Sequence, residues 1–146
     1  MSQVQPPKKI SHIGIAVRDL EASIQWYQAK LGLTFEGIEV VESEQVKVAF
    51  LTIGESRIEL LAPISEESAI AKFLAKYGEG IHHIAFEVND IRKRLRQLSE
   101  QGVRLIHEEP KQGAHQMNIA FLHPKSTGGV LMELCEPIAS TKEGLK

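Results

Sequence analysis

The sequence predicts an α+β fold: two tandem βαβββ modules that form one curved mixed sheet around a cleft. Three observations predict it. First, the chain echoes itself. "KISHIGIAVRDLEASIQWYQAKLGL" (Lys9–Leu33) and "GIHHIAFEVNDIRKRLRQLSEQGV" (Gly80–Val103) each run from an alternating strand through an Asp to a helical apolar pattern and a Gly. Second, "VAFLTIGESRIELLAPI" (Val48–Ile64) and "IAFLHPKSTGGVLMELCEPI" (Ile119–Ile138) each read as strand, turn and strand, ending in Glu-Leu and a nearby Pro. Third, a half of about 60 residues is marginal as an independent core, so the two halves gain by packing side by side. The divisions are residues 9–64 for the first module, 65–79 for a linker helix and 80–138 for the second module, together one domain.

Taken in order, the N-terminal "MSQVQPPKK" has no apolar targeting core and reads as a frayed arm. In the first strand, alternation puts Ile13, Ile15 and Val17 toward the following helix and His12, Gly14 and Ala16 on the opposite face. Asp19 is the N-cap of that helix; Leu20, Ile24, Tyr27 and Leu31 are its apolar positions, and Gly32 suits the C′ position. Trp26 packs either against the sheet or at a subunit contact, and its place beside the Ile24/Tyr27 stripe favours the sheet. Glu42 and Glu44 read as an exposed charged turn. Further on, Ile58 and Leu60 share one face of a strand while Glu59 takes the other.

The linker "SEESAIAKFLAKYGEG" reads as a helix capped by Ser65, with Ile70, Phe73, Leu74 and Tyr77 as one stripe and Gly78 and Gly80 ending it. In the second module Ile84, Phe86 and Val88 take the helix side, and His83, Ala85 and Glu87 the opposite side. His82 is expected on the helix side, satisfied by a neighbouring backbone group. Asp90 caps the next helix, Ile91, Leu95 and Leu98 form its stripe, and Gly102 ends it. In the last strand Met132 and Leu134 share a face opposite Glu133. Each module is expected to hold three strands after its helix, and the tail after Pro137 is expected to be loose.

Composition narrows the function classes. A 42% hydrophobic and 25% charged chain is ordinary for a folded soluble protein. A net charge of −2 gives no general attraction to nucleic acid or an anionic membrane, so any anion site is local. The single cysteine, Cys135, rules out an internal disulfide and suits a reducing, cytoplasmic setting. No apolar run has the length of a membrane span.

The residues facing the cleft carry the chemistry. His12 and His83 hold equivalent places in the repeat, and each is followed two residues later by a small side chain. Glu59 and Glu133 are equivalent too, each flanked by apolar residues on a central strand. A carboxylate in such a place is costly unless something pairs with it. One histidine on an apolar strand is more often a satisfied core group than a ligand. Two His–Glu pairs at repeat-equivalent positions are hard to explain by packing. His12, Glu59, His83 and Glu133 therefore form a candidate site for one borderline divalent cation, such as cobalt, manganese, nickel, iron or zinc, with two positions left open.

With these features the chain resembles the vicinal-oxygen-chelate superfamily and, within it, the methylmalonyl-CoA epimerase family. The resemblance runs from Lys9 to Pro137 and is carried by "SHIGIAVRDLEASIQWY", "IELLAP", "GIHHIAFEV", "GAH" (Gly113–His115) and "IAFLHPKSTGGVLMEL". It implies an isomerase that epimerises (2R)- and (2S)-methylmalonyl-CoA through a metal-stabilised enolate, with cobalt or manganese as the metal. It implies Glu133 and Glu59 as acid–base groups as well as ligands, and a homodimer. It also implies an acyl-CoA thioester contacted by the loops holding Lys111, Gly113, Ala114, His115, Lys125 and Ser126, whose backbone N–H groups and lysines suit an anion. Some epimerases carry a further glutamate on the strand matching Val46–Leu51; the nearest match here is Ala49, so that role does not transfer. Gln116 stands where the family often has glycine.

Three other readings remain open at this level. A glyoxalase I-like lyase or isomerase acting on a thiol hemithioacetal shares the metal site but does not account for "HPKSTGG". An extradiol dioxygenase, with two His and one carboxylate on iron, leaves Glu59 over. A metal-free binding protein has to bury unpaired carboxylates.

Overall fold

The computed structural model describes residues 4–139; the last part of the expected loose tail lies outside them. Its strands and helices are β1 (Lys9–Ala16), α1 (Leu20–Leu31), β2 (Thr34–Val41), β3 (Val46–Ile53), β4 (Ser56–Pro63), α2 (Ala69–Tyr77), β5 (Gly80–Glu87), α3 (Ile91–Glu100), β6 (Lys111–Gln112), β7 (Met117–Leu122) and β8 (Met132–Pro137). Among the described residues the strands form one eight-stranded sheet in the order β2-β3-β4-β1-β5-β8-β7-β6. Within each half the first strand pairs in parallel with the last, β1 with β4 and β5 with β8. The halves meet along the antiparallel β1–β5 pair, which puts the two histidine-bearing strands side by side at the centre.

Local chemistry sets the helix boundaries. The Asp19 carboxylate accepts from the Ala22 N–H at 3.0 Å, and Gly32 closes α1 at φ 75°, where a side chain is costly. Asp90 accepts from the Lys93 N–H at 3.3 Å, while the N–H groups of Asp90 and Ile91 donate to Glu136 of β8 at 2.7 and 3.0 Å. A carboxylate from the sheet thus takes up donors that the start of α3 leaves open. The cap of α2 is Ser68 rather than the expected Ser65. Ser68 Oγ accepts from Ile70 N–H at 3.1 Å, and Ser65 Oγ serves the preceding turn through Glu67 N–H at 3.3 Å. Ser68 is buried, so the helix begins where the chain meets the sheet.

Burial follows the predicted alternation. Val17, Leu20, Ile24, Leu60 and Ala62 pack under α1; Val88, Ile91, Leu95 and Leu134 pack under α3. On the other side of the sheet, Ile70 and Leu74 of α2 pack with Ala16, Val46, Val48, Phe50 and Leu61. The expected linker helix therefore also covers one flank of the cleft.

Three expectations are corrected. Trp26 is 50% exposed, its ring edge-on to Tyr27 rather than against the sheet. Tyr77, at the end of α2, is 65% exposed, its ring tilted against Phe73 of the same helix. The middle strand of the second module shrinks to the two residues of β6 plus a bridge between Leu105 and Leu122; the intervening segment is polar and contains Pro110, which has no N–H for a ladder.

Leu95, on the buried face of α3, is 1% exposed. Leu95→Ala is expected to lower the unfolding free energy by about 2–5 kcal/mol, read from urea denaturation midpoints.

Candidate metal centre

β1 and β5 bring His12 and His83 together from sequence positions 71 residues apart. His12 lies opposite Ala85, and His83 opposite Gly14. Glycine is required at position 14: a Cβ there would sit 2.3 Å from His83 Cε1. The two Nε2 atoms approach to 3.2 Å. From β8, Glu133 Oε1 lies 3.1 Å from His83 Nε2 and 3.7 Å from His12 Nε2. All three side chains are buried, and their ligating atoms lie within 4.8 Å of one another. Burial pushes the Glu133 carboxyl up, but hydrogen bonds from His12 and His83 and their positive charge outweigh it and hold the group down at about 2. Two imidazole nitrogens and an ionised carboxylate oxygen crowded into one buried point are a donor set that fits a borderline divalent cation.

The fourth predicted ligand is placed differently. Glu59 faces the cleft side but lies outside the three-atom cluster, behind His12. Arg57 donates to Glu59 Oε2 from Nη2 at 2.7 Å and from Nε at 3.1 Å. The same Oε2 is 3.3 Å from His12 Nδ1. Sequence reasoning overlooked Arg57, although its position two residues before Glu59 puts both on one face of β4. The guanidinium answers the cost of burying Glu59.

His82 is also placed differently from expectation. It lines the cleft, its Nδ1 3.0 Å from His83 Nδ1 and its ring edge-on to Phe73. Burial, then the charge of His83, pushes its pKa down to about 4, against a smaller upward pull from Glu133. It is a neutral imidazole at neutral pH.

The cleft has a cavity of about 320 Å³. Its floor holds His12, His83 and Glu133, its wall includes Val46, Val48, Leu61 and Ile70, and its mouth holds Lys111, Gly113 and Ala114. On β3 it is Val48 that lines the cleft, while Ala49 packs under α1, so no carboxylate of β3 enters the site. Lys111 forms an ion pair with Glu44 across the mouth, joining the two halves. His115 stands outside the cleft: its ring packs on Phe50, and its N–H donates to Glu39 at 3.0 Å.

Lys125 and Ser126 sit on an exposed turn and do not line this cavity. The turn is not an open anion nest. The N–H groups of Lys125 and Ser126 go to His123, and those of Thr127 and Gly129 to Pro124. Gly113 N–H is likewise committed to Met117 O at 2.8 Å. Of the predicted anion contacts, Lys111, Gly113 and Ala114 reach the cleft mouth, and Lys111 brings the positive charge there.

A curved sheet of paired modules holds a buried His–His–Glu cluster at its seam, a candidate site for one chelated cation. In agreement, the family model described as Glyoxalase/Bleomycin resistance protein/Dioxygenase superfamily matches residues 11–121, and the chain belongs to that superfamily. The ethylmalonyl-CoA/methylmalonyl-CoA epimerase of Cereibacter sphaeroides is 43% identical over 86% of this chain and 96% of that protein. The crystal structure of methylmalonyl-CoA epimerase from Mycobacterium tuberculosis superposes with a TM-score of 0.90 at 38% identity, covering 100% of this chain and 97% of the other. A methylmalonyl-CoA epimerase in complex with methylmalonyl-CoA and NH4+ gives a TM-score of 0.88 at 41% identity, covering 92% and 97%. The chain is thus an epimerase-like member of the superfamily.

The Arg57–Glu59 pair is buried, at 10% and 4% side-chain exposure. In metal-free protein Arg57→Met is expected to cost about 3–5 kcal/mol by urea unfolding, because it strands a buried carboxylate. The double variant Arg57→Met/Glu59→Met is expected to recover most of that loss.

Proposed function

We propose that this chain epimerises (2R)- and (2S)-methylmalonyl-CoA by removing and returning the proton at C2. The observation that carries the proposal is the buried His12–His83–Glu133 cluster at the floor of the cleft, in a chain that resembles epimerases along almost its whole length. A cavity of about 320 Å³ suits the malonyl head of the substrate and leaves the nucleotide end outside.

His12, His83 and Glu133 are the residues that would hold the metal, with cobalt or manganese the best suited. When bound, a divalent cation supplies positive charge where oxygen gains electron density as the C2 proton leaves. The chain's own part is positional. Buried strands fix the imidazoles and the carboxylate, so little reorganisation accompanies the reaction. The C2 proton passes to a carboxylate oxygen on one face, and a proton returns from the other face to give the opposite configuration. We assign these roles to Glu133 and Glu59, which come from the two halves of the repeat on β8 and β4 and both line the cleft, Glu59 from behind His12 with its Oε2 held by Arg57. Lys111, held by Glu44 in the free protein, is the cation at the mouth that an anionic thioester can engage.

Incubation of cobalt- or manganese-loaded protein with (2S)-methylmalonyl-CoA in D₂O is expected to place deuterium at C2 and to generate the 2R form. Chelation of the metal is expected to abolish the exchange, and re-addition to restore it. Absence of exchange in the loaded protein would overturn the proposal. Glu133→Gln is expected to lower kcat by about 10²–10⁴-fold.

A further inference from the structure

The β1–β5 pair contains two irregularities. Ile10 and His12 oppose the consecutive residues Phe86 and Ala85, so Ser11 has no counterpart. Gly14 and Ile15 oppose His83 and Ile81, so His82 has none either. Each surplus residue immediately precedes one histidine of the metal cluster, and the two bulges stand at matching places in the two halves.

In a regular strand the residue before a cleft-facing histidine points to the other side of the sheet and cannot reach its ring. A bulge bends the strand and re-aims the extra side chain. Both surplus side chains do reach. Ser11 Oγ lies 3.1 Å from His12 Nδ1, and His82 Nδ1 lies 3.0 Å from His83 Nδ1. These are the ring nitrogens turned away from Glu133. A neutral imidazole that offers its Nε2 lone pair to a cation carries its proton on Nδ1 and needs an acceptor there. Ser11 and His82 stand where those acceptors belong.

The two positions are not equally dependent on them. His12 Nδ1 has a second acceptor in Glu59 Oε2 at 3.3 Å, and Arg57 Nη2, which donates to that carboxylate, lies 3.4 Å from the same nitrogen. Among the described residues, His82 is the one hydrogen-bond partner of His83 Nδ1. The His82 ring is in turn fixed by edge contact with Phe73 of α2, at 5.0 Å between centroids.

We infer that Ser11 and His82 are positioning residues of the metal centre: each sits in a β-bulge that turns it back onto the Nδ1 of the following histidine, fixing the tautomer and ring orientation of His12 and His83. The inference rests on the metal-binding reading of the cluster.

Zinc, a diamagnetic ion these donors accept, tests it in the full chain labelled with ¹⁵N-histidine. The zinc-loaded protein is expected to show a protonated His83 Nδ1 with a through-hydrogen-bond ¹⁵N–¹⁵N coupling to His82 Nδ1. Zinc affinity is read by competition with a chelator. His82→Phe is expected to remove the coupling and weaken zinc binding by about 10–100-fold, the usual scale for losing a ligand's orienting partner. His82→Asn, whose amide oxygen accepts a hydrogen bond, is expected to stay within about threefold of the parent protein. Ser11→Ala is expected to weaken binding less than His82→Phe, since Glu59 remains at His12. Lack of the coupling in the parent protein overturns the inference without any variant. So does parent-like affinity in His82→Phe, or an affinity in His82→Asn as weak as in His82→Phe. A parent protein that binds no zinc overturns the metal reading itself, whereas tight zinc binding that no variant disturbs overturns only the role of the bulges.

Discussion

The 3.2 Å approach of His12 Nε2 to His83 Nε2 is the constraint on which the site depends. Two imidazoles from strands far apart in sequence meet only because β1 and β5 pair antiparallel with one fixed register. That register puts Gly14 and Ala85 opposite the rings, which clears the space they fill. The same pairing fuses the two half-sheets into one core. Fold stability and site geometry therefore rest on the same ladder of hydrogen bonds.

Burial makes the charges at this seam expensive, and each is answered locally. Glu133 is answered by the two histidines, which hold its carboxyl down at about 2 although burial alone pushes it up. Glu59, its repeat partner, is answered by Arg57. The duplication supplies equivalent positions but unlike partners. One carboxylate is left beside the imidazole nitrogens and the other is drawn behind His12, so the two halves of the site are chemically distinct.

Depth divides the labour along the cleft. At the floor, central strands hold the polar groups; at the mouth, the partly exposed ion pair joins Lys111 of the short edge strand β6 to Glu44 of a turn. An exposed pair is worth little and is easily exchanged for another anion. The turn at Pro124–Ser126 satisfies its own backbone and so acts as a braced corner, not as an anion trap. Cys135 is buried beneath the seam, and burial pushes its thiol up to about 12, which keeps it inert.

Much of this was written in local patterns. Alternation assigned the faces of β1, β4, β5 and β8; Asp19, Asp90 and Gly32 marked helix ends; and the internal repeat pointed to His12, His83, Glu59 and Glu133. Faces and helix ends depend on residues within a few positions of one another, and the repeat on comparing two such local patterns, so all are legible in one dimension. Arg57 was legible by the same alternation and was overlooked. The tertiary structure alone decided which residues stood in the bulges, and with them the aim of His82, because a bulge exists only relative to the strand beside it. It likewise decided that Arg57 draws Glu59 behind His12, that Lys111 meets Glu44, and that the N–H groups of Lys125, Ser126, Thr127 and Gly129 are taken up within the "HPKSTGG" turn. Each of those outcomes is a competition among groups brought together by folding, and the order of residues along the chain does not record which partner wins.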